Sequence, residues 1–196
     1  MEFKKAKIDD NLEEIAELIY LTDKYIYPYW FEGVSDYKTI LVDLIKSKGS
    51  LFYYENILVA KENDNILGIV VFLSSKNKYD YDYSKLISIN RNFKYTINNY
   101  ILPVTKHIED NLIYVSNVCV NLNKRRKHIG TNLLKTLIAE NPGKNFELDV
   151  LAINGPAINL YTKMGFKIVD SKTGFNGPYK PKPPIFTMKR NKKPLA

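Results

Sequence analysis

Two stretches of this chain carry residue types whose spacing could do chemistry. The first is Val118-Cys119-Val120, a short link, then Arg125-Arg126-Lys127-His128-Ile129-Gly130-Thr131. An apolar strand feeds a basic turn there, and the turn feeds a helix. The first N–H groups of any helix lack internal partners and carry partial positive charge. A turn that aims several of them at one point makes an anion nest, suited to a pyrophosphate. Gly130 would let the backbone come close to that anion, and Arg125 with its neighbours adds full charge. The plainer reading is a strand–helix connection with a solvated, charged tip. The second stretch runs from Asn154-Gly155-Pro156 through Tyr161 to Gly165-Phe166. Asn is a favoured helix cap, and Pro costs nothing in a first helical turn. Tyr161 shares helical spacing with Ala157, Leu160 and Met164, so core packing is one account of it. Cys119 sits mid-strand in an apolar run with no histidine near in sequence. Such a cysteine is usually a small buried hydrophobe, so no nucleophile is expected there.

The elements that must hold these stretches can be read from pattern. Phe3 to Lys7 is a candidate strand. Asp10 is a candidate cap, with Glu13 three residues on, for a helix whose stripe is Leu12, Ile15, Ala16, Ile19 and Leu21. Pro28 should end that segment. Ser35 could cap a second helix with stripe Ile40, Leu41, Leu44 and Ile45, ended at Gly49. Leu51 to Ala60 and Ile66 to Leu73 read as a hairpin about Glu62-Asn63-Asp64-Asn65. Residues 74–110 are polar and tyrosine-rich, with room for one or two short helices. Leu112 to Val120 is a nearly continuous apolar run, the pattern of a central strand covered on both faces. A helix from Ile129 to Glu140, a strand from Phe146 to Leu151, the short helix after Asn154, Gly165 in the left-handed position, and strands Phe166–Val169 and Ile185–Lys189 complete the order. This is an α/β (α+β) chain, a mixed central sheet of about six to seven strands flanked by helices on both faces.

Composition sets bounds on function. The 196 residues suit one domain, taken as 1–196, and the 45% hydrophobic and 26% charged content is that of a globular chain. No apolar run approaches a membrane span, and residues 1–14 show no apolar stretch of signal-peptide type, so no membrane partner is expected. The single cysteine excludes an internal disulfide and fits the cytoplasm. No Cys/His spacing suggests a metal. The net charge of +8 favours anionic partners or reflects base composition. The lysines are scattered, the one dense cluster being Lys124-Arg125-Arg126-Lys127, and no nucleic-acid motif is present.

Taken together, the two stretches resemble the GNAT (GCN5-related) N-acetyltransferases, and the run from Leu18 to Pro28 resembles one found in uncharacterised bacterial members of that superfamily. That superfamily shows (Arg/Gln)-x-x-Gly-x-(Gly/Ala) after its fourth strand. Roughly two dozen residues later it shows Asn-x-x-Ala-x-x-Leu-Tyr-x-x-x-Gly-Phe. Arg125, Gly130, Asn154, Ala157, Leu160, Tyr161, Gly165 and Phe166 match in order, best over residues 112–170. His128 stands where the family usually has its first Gly. Its amide survives, and its side chain must swing aside or meet a phosphate.

The resemblance implies acetyl-CoA as cosubstrate, no metal, and direct acetyl transfer to a primary amine of a small molecule or peptide. Val118 and Val120, flanking Cys119, would pair their backbone with the pantetheine arm. The amides of Arg126, Lys127, His128, Ile129, Gly130 and Thr131 would hold the pyrophosphate. Asn154 would bond the pantetheine, cap its helix, or both. Tyr161 would act as general acid toward the departing thiolate, since a phenol of pKa near ~10 stays protonated at neutral pH. Relatives often place a Glu on the fourth strand as base. Its place here falls near Tyr114, and Glu109, Asp110 and Asp149 are unassigned acids nearby. The acceptor site would draw on residues 25–31, with Tyr27, Tyr29 and Trp30, on 74–110 and on 173–184. Packing is the alternative for Tyr27 to Phe31. A homodimer stays open. The rival reading is a non-catalytic CoA-binding regulator, for which the absent strand carboxylate and His128 speak.

Overall fold

The computed structural model describes residues 1–106, 108–173 and 183–192. Strands β1 (Glu2–Lys5), β2 (Ile57–Glu62), β3 (Asn65–Ser74), β4 (Leu112–Val120), β5 (Asn145–Leu151), β6 (Lys167–Lys172) and β7 (Ile185–Arg190) form one mixed sheet. Their order is β1-β2-β3-β4-β5-β7-β6. On one face lie α1 (Leu12–Tyr20), α2 (Ile26–Trp30), α3 (Tyr37–Lys46), α4 (Ser84–Ile89), α5 (Arg91–Thr96) and α6 (Leu102–Lys106). There Ile15, Trp30, Leu44 and Phe93 pack with Ile57, Ile69 and Val71 of the sheet. The other face carries α7 (Ile129–Glu140) and α8 (Gly155–Lys163), whose Leu133, Leu137 and Tyr161 pack with Val70, Val115, Leu148 and Met188. The expected mixed sheet with helices on both faces is the fold observed.

Two features of the sheet position the site. In the β3–β4 ladder Val71 pairs with Asn117 and Phe72 with Val115, leaving Ser116 as an extra, bulged residue. A one-residue slip exchanges the faces of a strand. Ile113 and Val115 therefore point toward α7, as do Val118 and Val120 beyond the bulge, while Cys119 points toward α1. The second feature is a fork. The parallel pairing of β4 with β5 holds only at Leu112↔Asn145, Ile113↔Phe146 and Tyr114↔Glu147. Past that point β4 stays with β3 and β5 stays with β7.

Several local expectations shift. Asn11, not Asp10, caps α1 by accepting from Glu14 N at 3.2 Å. Asp10 is instead buried, accepts from Lys7 N and pairs with Lys61 at 2.7 Å. Asp36, not Ser35, caps α3. Pro28 does not end a helix but lies in the first turn of α2, where its missing N–H is harmless. The strand expected from Leu51 starts at Ile57, because Tyr54–Asn56 form a 3-10 turn. Residues 84–106 hold three α-helices and a π-type turn at Ile97–Ile101, more than the one or two helices expected. On β4, Tyr114, Ser116, Val118 and Val120 are half-buried rather than covered, because the fork opens beside them. Gly165 takes φ +88°, the left-handed value expected.

Gly68 sets how closely α7 sits on the sheet. A Cβ there would come within 3.0 Å of Cys119 O, 3.1 Å of Ile129 Cγ2 and 3.2 Å of Leu133 Cδ1. The carbonyl belongs to a paired strand and cannot retreat. Gly68→Ala should cost about 1–3 kcal/mol of stability through overpacking. Urea denaturation checks this, and an unchanged midpoint would mean that α7 yields freely.

Candidate functional site

The sheet fork opens a cavity of about 500 Å³ that runs from α8 through the gap to α2. Val118 and Tyr114 of β4 line it, with Asp149 and Leu151 of β5, Asn154, Ala157 and Tyr161 at α8, and Tyr27 and Trp30 of α2. The cavity therefore joins the two faces of the sheet at the point where the sheet divides.

Tyr161 reaches the cavity from the α8 side. Its ring is 7% exposed and tilts against Phe166 at 5.9 Å. Burial pushes the phenol well above its ordinary pKa, and the nearby Cys119 thiol adds to the shift. A proton on Tyr161 is thus retained across the neutral range. Cys119 is buried on the other face, and burial pushes its thiol up to about 11 against the lowering effects of the Arg125 charge and a Val120 backbone hydrogen bond. It stays a neutral thiol at pH 7, as a packing residue should. Asn154 lines the cavity and caps α8, accepting from Ala157 N at 3.3 Å.

The basic turn lies on the α7 side. Arg125 to His128 are exposed, and the Arg125 guanidinium reaches back to Val120 O at 3.5 Å. Arg126 and His128 adopt left-handed backbone, with φ +62° and +57°. Successive N–H groups in such a turn converge on one side. His128 is the residue that leads into α7, and no side chain caps that helix start, unlike the start of α8. Charge, uncapped amides and exposure together suit an anion. Ile129 is buried against the sheet, and Thr131 is half-buried. Gly130 lies where α7 packs against α8 and β4: a Cβ there would meet Leu160 Cδ2 at 3.4 Å and Val120 Cγ2 at 3.6 Å, both ordinary contact distances.

On the α2 side, Tyr27 and Trp30 are both buried and both in the cavity wall. Asn117 donates to Tyr27 Oη at 2.8 Å, and Ser116 Oγ donates to Asn117 Oδ1 at 2.8 Å, so the bulge is tied to α2. Burial, partly offset by the Asn117 hydrogen bond, raises the Tyr27 pKa. Tyr29 does not line the cavity itself but meets Tyr95, which does, edge-on at 6.0 Å. Trp30 Nε1 and Thr96 Oγ1, in the same wall, are buried without a hydrogen-bond partner among the described residues. Much of the loop expected to close this side, 174–182, lies outside the described residues.

Sequence reasoning left one cluster unassigned. Tyr114 Oη donates to Asp149 Oδ2 at 3.3 Å, Thr187 Oγ1 donates to Oδ1 at 2.6 Å, and Lys172 Nζ stands 3.5 Å from Oδ2. Burial, then the Asp149 charge, hold the Tyr114 pKa far above its ordinary value. Among the described residues no group of three His, Cys, Asp or Glu side chains is placed to hold a metal, and no helix is long and apolar enough to cross a membrane.

Solved structures share this architecture. An N-acetyltransferase from Staphylococcus aureus Mu50 is 21% identical with a TM-score of 0.65, over 96% of this chain and 100% of that one. The ribosomal-protein-S18-alanine N-acetyltransferase from Escherichia coli is 13% identical with a TM-score of 0.61, over 100% of this chain and 96% of that one. Arabidopsis thaliana Naa50, solved with the bisubstrate analogue CoA-Ac-MVNAL, is 16% identical with a TM-score of 0.56, over 97% of each chain. No curated protein sequence matches. The sequence model of the acetyltransferase (GNAT) family matches residues 23–166. With that match over most of its length and the forked sheet to house it, the chain belongs to the GNAT acetyltransferase family.

Proposed function

We propose that this protein moves the acetyl group of acetyl-CoA onto a primary amine of a small molecule or peptide by direct transfer. The observation that carries this reading is the cavity through the sheet fork, with a protonated phenol at one end and an aromatic wall at the other. The Arg125–Thr131 turn would hold the pyrophosphate with its uncapped amides and basic side chains. Past the fork, the side of β4 that faces β5 has no strand partner among the described residues, so its amides near Val118 would be available to the amide-bearing pantetheine arm. One of them would also polarise the attacked carbonyl. Tyr161 would give its proton to the departing sulfur. Tyr27 and Trp30 would flank the amine, through apolar contact and attraction of a cation to the rings. A peptide acceptor gains support from the Naa50 likeness, whose analogue carries a peptide.

The reading is tested by mixing the full chain with acetyl-CoA and a panel of primary alkylamines, amino-acid amides and tetrapeptides with free N-termini. Thiol release with at least one member is expected. Coenzyme A binding in calorimetry without any turnover would favour the regulator.

Substitutions at two positions probe the parts. Tyr161→Phe should lower kcat at least tenfold, about 1.4 kcal/mol of barrier, with little change in acetyl-CoA affinity. Unaltered turnover would assign the thiolate to another group. Because burial raises the Tyr161 pKa, loss of its proton should not limit the rate below about pH 10. Gly130→Ala should bind coenzyme A nearly as the parent does, since the methyl fits at contact distance. Gly130→Leu should weaken binding about tenfold or more by pushing α7 from Leu160. Equal Kd values for the two would detach this packing from the anion site.

A further inference from the structure

We infer that Asp149, held by Tyr114, Thr187 and Lys172, is the proton acceptor for the amine. This rests on the acetyl-transfer reading and adds to it the residue that makes the nucleophile. The alternation of β5 places Phe146, Leu148 and Val150 in the core under α7 and α8. Glu147 and Asp149 must then point to the opposite face. Tyr114 packs against the core of that same opposite face. Asp149 thus lines the cavity from the side of α2, and Tyr161 from the side of α8. Proton acceptor and proton donor stand on opposite faces of the divided sheet, each on the side its reaction partner would occupy.

The chemistry explains why a carboxylate is needed there. An alkyl ammonium has a pKa near ~10.4 and has no lone pair to attack with at pH 7. The apolar wall of Trp30, Phe52 and Leu73 would desolvate the ammonium and make it more acidic. Asp149 takes one proton from nitrogen, leaving a neutral amine. The nitrogen lone pair then forms the N–C bond to the acetyl carbonyl carbon, and the C–S bond breaks with its electron pair on sulfur. Sulfur takes the Tyr161 proton, and a second proton from nitrogen restores the phenol. The proton on Asp149 passes to solvent, which completes the balance.

The partners of Asp149 are arranged for this. Each carboxylate oxygen accepts a hydroxyl, and Lys172 Nζ stands beside Oδ2, so three neighbours fix where the carboxylate points. Tyr114 fills the place on β4 where no acid occurs, and it acts as a positioning residue. Among the described residues, the other charged and titratable groups about the site are the Glu147–Lys189 pair on β5 and β7, Asp23 before α2, and Tyr161, Tyr27 and Tyr95 in the cavity wall.

The test uses the full chain with acetyl-CoA and the most active amine of the panel. Asp149→Asn should lower kcat/KM at least tenfold at pH 7, with the Kd for coenzyme A in calorimetry unchanged. Its rate should climb about tenfold per pH unit as free amine accumulates, and approach that of the parent near pH 10. Asp149→Glu should recover part of the loss. Tyr114→Phe and Lys172→Gln each remove one partner of the carboxylate and should lower kcat several-fold with KM and the coenzyme A Kd little changed, and Lys172→Arg should restore most of the rate. An Asp149→Asn enzyme with the parent's rate and profile would overturn the assignment while leaving acetyl transfer intact. Loss of coenzyme A binding in that variant would also overturn it, by showing a structural role. No turnover by the parent with any amine would remove the underlying reading and this inference with it.

Discussion

After Tyr114 and Glu147, strands β4 and β5 stop exchanging hydrogen bonds, and nearly everything about the site follows from that separation. A backbone edge inside a protein must find partners or solvent. Here β3 satisfies one side of β4 and β7 satisfies one side of β5. Their facing edges are left to whatever enters the gap. The bulge at Ser116 falls two residues past the last shared pair, where added bend and twist turn β4 away. It also changes which residues face which helices. Without it, Val118 would not share a face with Val115, and the β4 wall nearest α8 would be built from other side chains.

The electrostatics divide along the same line. The molecule is strongly basic overall, and its densest positive cluster sits at the exposed entrance to α7. The cavity interior is different. Three of its phenols, Tyr27, Tyr114 and Tyr161, are held protonated by burial, and its lining carries the acids Asp23 and Asp149 with one lysine, Lys172. The rim is therefore basic, while acids outnumber the lysine within. The basic rim comes from the continuation of β4 into α7, and the acids within from β5 and the segment before α2.

What could be read from the sequence was what local chemistry decides. The start of α7, the Asn154 cap and the left-handed Gly165 are each set by a few neighbouring residues. Caps at Asp10 and Ser35 failed by one place because Asn11 and Asp36 compete beside them, and Asp10 is claimed by Lys61, far away in sequence. The helices between 84 and 106 are short and polar. They are fixed by contacts of Phe93 and Leu86 with a distant core, which periodicity cannot see. The cluster around Asp149 joins four strands, so no spacing announces it. One signal was present: an acid alternating with Leu148 and Val150 must face away from the core they enter. Knowing what it faces required the pairing of Tyr114 with Glu147.

The two halves of the sheet are bonded to each other through a short ladder, yet they are not equally joined on both faces. Under α7 and α8 the apolar core runs unbroken from Leu58 and Val70 across the fork to Leu148 and Met188. Under α1 to α6 the apolar core, among the described residues, reaches no further than β4. The two halves are thus held together by a shared core on the α7 side and, among the described residues, chiefly by the short ladder on the α2 side. On the acetyl-transfer reading, the coenzyme would sit where the halves share a core and the acceptor where they do not.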